Sequence, residues 1–308
     1  MQNKFKGALL GLAVGDALGG PLSFMSASQI QIKHGVVSDM IGGGWLNLRV
    51  GQYTDDTILM SSTAESLLER NDFSKEDLVE RYLAWYRTDP KDIGQTTRSV
   101  LALVEQKKGN VEQASEQIWK ELAGKSDDND LLPRCLPLAL FYPNQPEILV
   151  PKTFEAAKMT HFDKKIASGP VALNLVIARI LNGETDRKKI LEQVSQLLDD
   201  NESGVYNILP EVGFKKKDDF KQSSRMQDTL EIALWCWLKT KTYKDAVITA
   251  VNLGGDSDTS GAITGALAGA YYGEEQIPET WLGKLEDKNI IAGLGRKLCV
   301  HAEKSPAR

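Results

Sequence analysis

Apolar residues recur along most of the chain at the spacing of a single buried helical stripe. Met60, Ala64, Leu67 and Leu68 fall at i, i+4, i+7 and i+8. Leu78, Tyr82 and Tyr86 repeat the pattern behind Ser74, which is placed to cap their helix. The stripe returns at Ile190, Leu191, Val194, Leu197 and Leu198, and again at Leu230, Ala233, Leu234, Trp237 and Leu238. Gly183, directly after "LVIARILN", reads as a helix stop. No run of alternating β-branched residues bounded by turns argues for a strand. The pattern predicts an all-α helical bundle. Pro143 to Pro151 holds three prolines and reads as a loop between helical segments. No linker or low-complexity stretch divides the chain, so residues 1–308 are expected to form one domain.

Two segments depart from this pattern: "GALLGLAVGDALGG" (Gly7–Gly20) and "GAITGALAGAYYG" (Gly261–Gly273). A glycine inside a helix is up to ~1 kcal/mol less favourable than alanine. Several together imply a backbone approaching another backbone or a ligand, or else tight packing alone. Composition adds little: 42% hydrophobic and 26% charged residues suit an ordinary globular protein with a substantial core. The net charge of −5 argues against nucleic acid as a partner, and Lys215–Lys217 runs straight into Asp218 and Asp219, a solvated loop. Cys135, Cys236 and Cys299 have no pair spacing and fit a reducing compartment. Lys4 and Lys6 before the run Gly7–Val14 faintly imitate a secretory signal, but Asp16 cuts that run short. No stretch approaches the ~20 apolar residues of a membrane span. A cytoplasmic protein without membrane insertion is expected.

The candidate chemistry is carboxylate. In "GQYTDDTILM", Asp55 and Asp56 stand side by side at the start of an apolar stripe; in "NLGGDSDTSGAITG", Asp256 and Asp258 open the second glycine-rich helix. Taken singly, each cluster reads as helix capping, because Thr, Asp and Ser suit a positive helix terminus. Together they exceed what two caps need. Were the two helix mouths to meet, four carboxylates would share one pocket and be driven towards protonation unless cations sat among them. Their hard oxygen donors suit Mg²⁺ or Mn²⁺ rather than Zn²⁺, and two adjacent aspartates can serve two ions.

"GALLGLAVGDALG", "GGGWLNLRVGQYTDDT", "DIGQTTR", "MTHFD", "DTLEIALWCWL" and "VNLGGDSDTSGAITGALAGAYYG" occur in this order over most of the chain. Together they resemble the ADP-ribosylglycohydrolase family, and within it the bacterial dinitrogenase reductase-activating branch. The resemblance implies an all-α fold around two divalent cations, Mg²⁺ or Mn²⁺, and a monomer. It implies hydrolysis of the bond between ADP-ribose and a protein side chain, commonly arginine. By motif, Thr54, Asp55 and Asp56 would ligate the metals from one side, and Asp256, Asp258 and Thr259 from the other, with Asp55 and Asp56 also catalytic. Two metals can bind the vicinal ribose hydroxyls and lower the pKa of a bound water. The N–H groups of Gly254, Gly255 and Ser257 are candidate pyrophosphate cradles, and His161 of "MTHFD" a candidate pocket residue.

The chain departs from the family pattern in three places. Ser23 stands where relatives carry a glutamate before a phenylalanine, and Gln95 where the nitrogenase-linked relatives have an aspartate; both are kept here as substrate-binding candidates. "SDDNDLLPR" (Ser126–Arg134) replaces a glycine-rich loop. Two expectations follow: a hydrolase whose metal-activated water is helped by Asp16, Asp128 or Asp130, or a metal-dependent binder of ADP-ribose or ADP-ribosylated protein with little turnover.

Overall fold

A computed structural model describes residues 1–107, 109–198 and 204–304. Ser305–Arg308, the end of the tail counted within the expected domain, lie outside the described residues. The first half carries helices α1 (Gln2–Gly19), α2 (Ala27–His34), α3 (Asp55–Arg70), α4 (Lys75–Tyr86), α5 (Gln95–Lys107), α6 (Val111–Glu121), α7 (Leu131–Cys135), α8 (Pro137–Phe141) and α9 (Pro146–Lys158). The second carries α10 (Lys164–Leu181), α11 (Arg187–Ser195), α12 (Ile208–Glu211), α13 (Met226–Lys239), α14 (Tyr243–Val251), α15 (Ser257–Tyr272), α16 (Glu279–Leu282) and α17 (Lys288–Lys304). The only ladder among the described residues joins β1 (Met25–Ser26) antiparallel to β2 (Gly254–Gly255), in the register Met25–Gly255 and Ser26–Gly254. The all-α expectation holds.

The two glycine-rich segments explain the centre of the bundle. Glycines recur every fourth residue in α1 (7, 11, 15, 19) and in α15 (261, 265, 269), so each set forms one stripe. A Cβ at Gly7, Gly11, Gly15 or Gly19 would overlap the carbonyl of Gly269, Gly265, Gly261 or Ser257 respectively. The helices therefore run antiparallel with their backbones in contact, and the Tyr243 hydroxyl of α14 donates to the Gly11 carbonyl at 2.9 Å. This register puts the C-terminal end of α1 beside the N-terminal end of α15. Both helices are buried nearly all round, and α17, α13 and α14 pack against this pair.

Local signals behave as the sequence predicts at several ends. Ser74 accepts the Asp77 N–H as the N-cap of α4. After α10 the Glu184 N–H reaches the Arg179 carbonyl and the Gly183 N–H that of Ile180, with Gly183 at φ +91°; this is the Schellman stop. Two expectations need correction. The proline-rich stretch is a loop only as far as Gln145, because Pro146 opens α9 and Pro151 lies inside it. Proline at the first helical position loses an N–H that has no helical partner anyway. The stripe beginning at Ile190 ends early: α11 stops at Ser195, and Leu197 is exposed.

The loop before α3 is held from the C-terminal tail. The Glu286 N–H donates to the Gly51 carbonyl, Arg49 grips Glu286 with two hydrogen bonds, and the Tyr53 hydroxyl donates to Asp287 at 2.7 Å. That tail, chemically unremarkable in sequence, thus fixes the approach to Thr54.

Candidate acidic site

Asp16 is the hinge of the site. It is fully buried near the end of α1 and accepts the Thr54 N–H with both oxygens, at 3.0 and 3.1 Å. Its Oδ2 also accepts the Thr57 N–H at 3.1 Å and the Thr57 hydroxyl at 2.6 Å. One carboxylate thereby holds the first turn of α3, where four N–H groups would otherwise lack partners. Burial pushes the Asp16 carboxyl up, partly offset by the hydrogen bonds from Thr57 and Thr54 and reinforced by Asp258, to about 7.

Thr54 is the N-cap of α3 and accepts the Asp56 N–H at 3.4 Å, so Asp55 and Asp56 are not spent on capping. Nor is Asp256: it occupies the N-cap position of α15, but its side chain makes no capping bond. It accepts instead from the Asn129 amide at 2.9 Å, which also reaches the Thr229 hydroxyl. Asp258 accepts the neighbouring Thr259 N–H, and its own N–H donates to the Ser23 hydroxyl at 3.2 Å.

The two mouths do converge. Burial pushes Asp55 well above the carboxylate range, and Asp92, Asp130, Asp258 and Asp16 add to the effect. Burial does the same to Asp56, followed by Asp55, Asp16, Asp258 and Asp256, and to Asp258, followed by Asp256. Oδ2 of Asp56 and both carboxyl oxygens of Asp130 are buried without a hydrogen-bond partner. Among the described residues, however, no three His, Cys, Asp or Glu side chains already stand close enough together to hold an ion. The grouping shows in the mutual effect of these buried carboxylates.

The replaced loop brings polar groups to the site. Asn129 and Asp130 are buried there, Asp128 accepts the Thr96 N–H at 3.2 Å, and Gly94 leaves room for the Asp130 carboxyl. His161 is fully buried, with Nδ1 2.9 Å from the Thr160 hydroxyl. Its Nε2 faces Asp128 at 3.8 Å and Asp130 at 3.7 Å, too far for a hydrogen bond. Burial raises Asp128, but His161 and the Thr96 amide outweigh it and leave the carboxyl below its usual range.

Ser23 is buried and bonded, with its hydroxyl donating to the Gly19 carbonyl. Gly254 and Gly255 lie in the short ladder, Gly255 with Gln222 against it, and Ser257 begins α15 with its hydroxyl buried and unpartnered. Gln95 is exposed at the start of α5. The sequence reading passed over Asp92 and Asn129. Asp92 accepts the Asp55 N–H at 3.0 Å, and burial raises its carboxyl. It stands three residues before Gln95 in the quoted motif "DIGQTTR", so the signal was present, whereas nothing local marks Asn129.

Comparison with known proteins identifies the family. ADP-ribosyl-[dinitrogen reductase] glycohydrolase of Rhodospirillum rubrum is 33% identical over 289 residues, covering 94% of this chain and 92% of the relative. ADP-ribosylarginine hydrolase Tri1 of Serratia proteamaculans is 31% identical, covering 96% of this chain and 79% of the relative. A solved structure described as an ADP-ribosylglycohydrolase-related protein complex superposes with a TM-score of 0.82 at 31% identity, covering 98% of each chain. The family model for ADP-ribosylglycohydrolase matches residues 1–307, and the chain belongs to that family.

Proposed function

We propose that the protein is a metal-dependent hydrolase that removes ADP-ribose from modified protein side chains, with arginine as the linkage. Residues 1–308 are read as one domain, since one apolar cluster among the described residues joins side chains from Phe5 to Ala302. The observation that carries the reading is the buried meeting of Asp55, Asp56, Asp256 and Asp258, with an unpartnered oxygen on Asp56 and the carboxyls of Asp55, Asp56 and Asp258 raised by burial and by neighbouring carboxylates. Hard oxygen donors in mutual repulsion fit divalent Mg²⁺ or Mn²⁺. Thr54, Asp55, Asp56, Asp256, Asp258 and Thr259 would hold two such ions. When bound, they would polarise the ribose hydroxyls and acidify a water.

The chain's own residues then divide the work. Asp16 fixes the Thr54–Thr57 turn, and Asn129 orients Asp256. Asp92, half-buried, bonded to the Asp55 N–H and raised by burial, would take the proton of the attacking water. The water oxygen bonds to the anomeric carbon as the carbon–nitrogen bond breaks. The linked guanidinium is already cationic, so it departs as neutral guanidine and recovers a proton afterwards, for which its high basicity suffices. No strong acid is required at the position of Ser23. The Ser257 amide, at the start of α15, would meet a phosphate oxygen, and His161, facing Asp128 and Asp130, would back the pocket.

The test is release of labelled ADP-ribose from an arginine-ADP-ribosylated protein with Mn²⁺ or Mg²⁺. Release lost in EDTA, and reduced on the order of 10²-fold or more by Asp56→Asn, is expected. A second reading, a metal-dependent ADP-ribose binder with little turnover, draws on Ser23, whose hydroxyl is occupied by Gly19 and Asp258. Tight ADP-ribose binding without release would select it, and Ser23→Glu measures what the missing carboxylate contributes.

A further inference from the structure

Asp256 borders a surface feature that hydrolysis as described leaves unused. Phe24 follows Ser23 directly, and its N–H donates to the Gly255 carbonyl at 2.7 Å, which ties its backbone to the lip of the Asp256–Asp258 segment. Its φ is +68°. A bulky residue in the left-handed region is a strained outlier that persists only where surrounding structure imposes it, and such strain clusters at ligand clamps. Burial does not offset that strain, because the side chain is 62% exposed.

The Phe24 ring meets Trp45, itself 49% exposed, with centroids 5.5 Å apart and planes tilted by 59°. The Trp45 loop is anchored on both sides: Gly43 and Leu48 exchange backbone hydrogen bonds, and Gly44 leaves no room for a Cβ against Pro21. A cavity of about 320 Å³ runs from Phe24 and Met25, past Gln222–Ser224, to Asp256. An anchored, solvent-facing ring, Phe24, thus borders a cavity that reaches Asp256, with the Trp45 ring against it. Ring faces attract cations, arginine guanidinium above all.

We propose that Phe24 and Trp45 form the subsite for the guanidinium of the modified arginine, on the leaving side of the bond to be cut, and so set a preference for arginine-linked ADP-ribose. This rests on the hydrolase reading. ADP-ribose, the product, carries no guanidinium and makes no use of the rings.

The experiment compares the metal-loaded protein with Phe24→Leu and Trp45→Leu, which keep apolar bulk at exposed positions but remove the ring face. Two quantities are read: KM for an arginine-ADP-ribosylated protein and the inhibition constant of free ADP-ribose. Each variant is expected to raise that KM about fivefold, the loss of one cation–ring contact, with ADP-ribose inhibition unchanged. Equal weakening for ADP-ribose would assign the rings to the nucleotide and overturn the proposal, as would no change for either ligand. A wild-type protein that binds the modified substrate but releases nothing would sink the hydrolase reading alone. The same comparison, made on dissociation constants, would then decide the subsite by the same outcomes.

Discussion

Replacing Gly15 by alanine adds one methyl group where α1 and α15 touch backbone to backbone. The new Cβ would overlap the Gly261 carbonyl and lie 3.0 Å from the Ala262 nitrogen. Neither obstacle is a side chain that can rotate away, so the helices must separate. Alanine favours a helix interior over glycine by up to ~1 kcal/mol. Overpacking of this kind typically costs 1–3 kcal/mol and sometimes more, and two rigid backbones place it at the upper end. The net expectation is a loss of about 2 kcal/mol or more, out of a typical total of 5–15 kcal/mol. Gly293 is the control: it lies inside α17 with nothing near its missing Cβ. Gly293→Ala should gain about 0.5–1 kcal/mol. Urea midpoints with the metal present measure both, and the same substitution should shift them in opposite directions. A Gly15→Ala protein as stable as the wild type would refute the backbone contact, and with it the reason the two acidic segments meet.

The metal-free protein should lose stability as pH rises. Asp16 has its folded pKa raised to about 7, so the folded state keeps a proton that the unfolded chain releases near pH 4; the contribution is complete below pH 4 and gone above about pH 7. The shift corresponds to about 4 kcal/mol, and melting in EDTA across that range should show the decline, flattened in Asp16→Asn and opposed by added Mn²⁺; a flat profile in EDTA would contradict it. Asp77 behaves oppositely. Burial raises its carboxyl, but hydrogen bonds led by Arg81, with Arg70, bring it to about 2, so its contribution is present above pH 4 and lost as pH falls towards 2. Solvent screening limits it to about 1–2 kcal/mol, and Asp77→Asn should remove that part of the acid sensitivity in melts between pH 4 and 2.

The residues themselves determined much of this protein. Helical spacing at Met60–Leu68 and Leu230–Leu238, the Ser74 cap and the Gly183 stop are local physics, decided within a turn or two of chain, and they were legible. The carboxylate motifs were equally legible as chemistry, because Asp55 beside Asp56 and Asp256 near Asp258 exceed what capping uses. The Pro146 helix start was open to the same local reasoning and was misread, since prolines signal loops and first turns alike.

Only the tertiary structure decided which distant groups share the site. The glycines left open another backbone, a ligand or tight packing as their reason, and did not tell that α1 and α15 meet each other, antiparallel and in the register joining Gly15 to Gly261. That register places Asp16 under the first turn of α3 and beside Asp258. It also decided that the loop lacking its glycines sends Asn129 to Asp256 and stacks Asp130 against Gly94. The physical reason is range: a helix cap reads its own neighbours, whereas burial and repulsion among carboxylates exist only after segments some 200 residues apart have closed on one another.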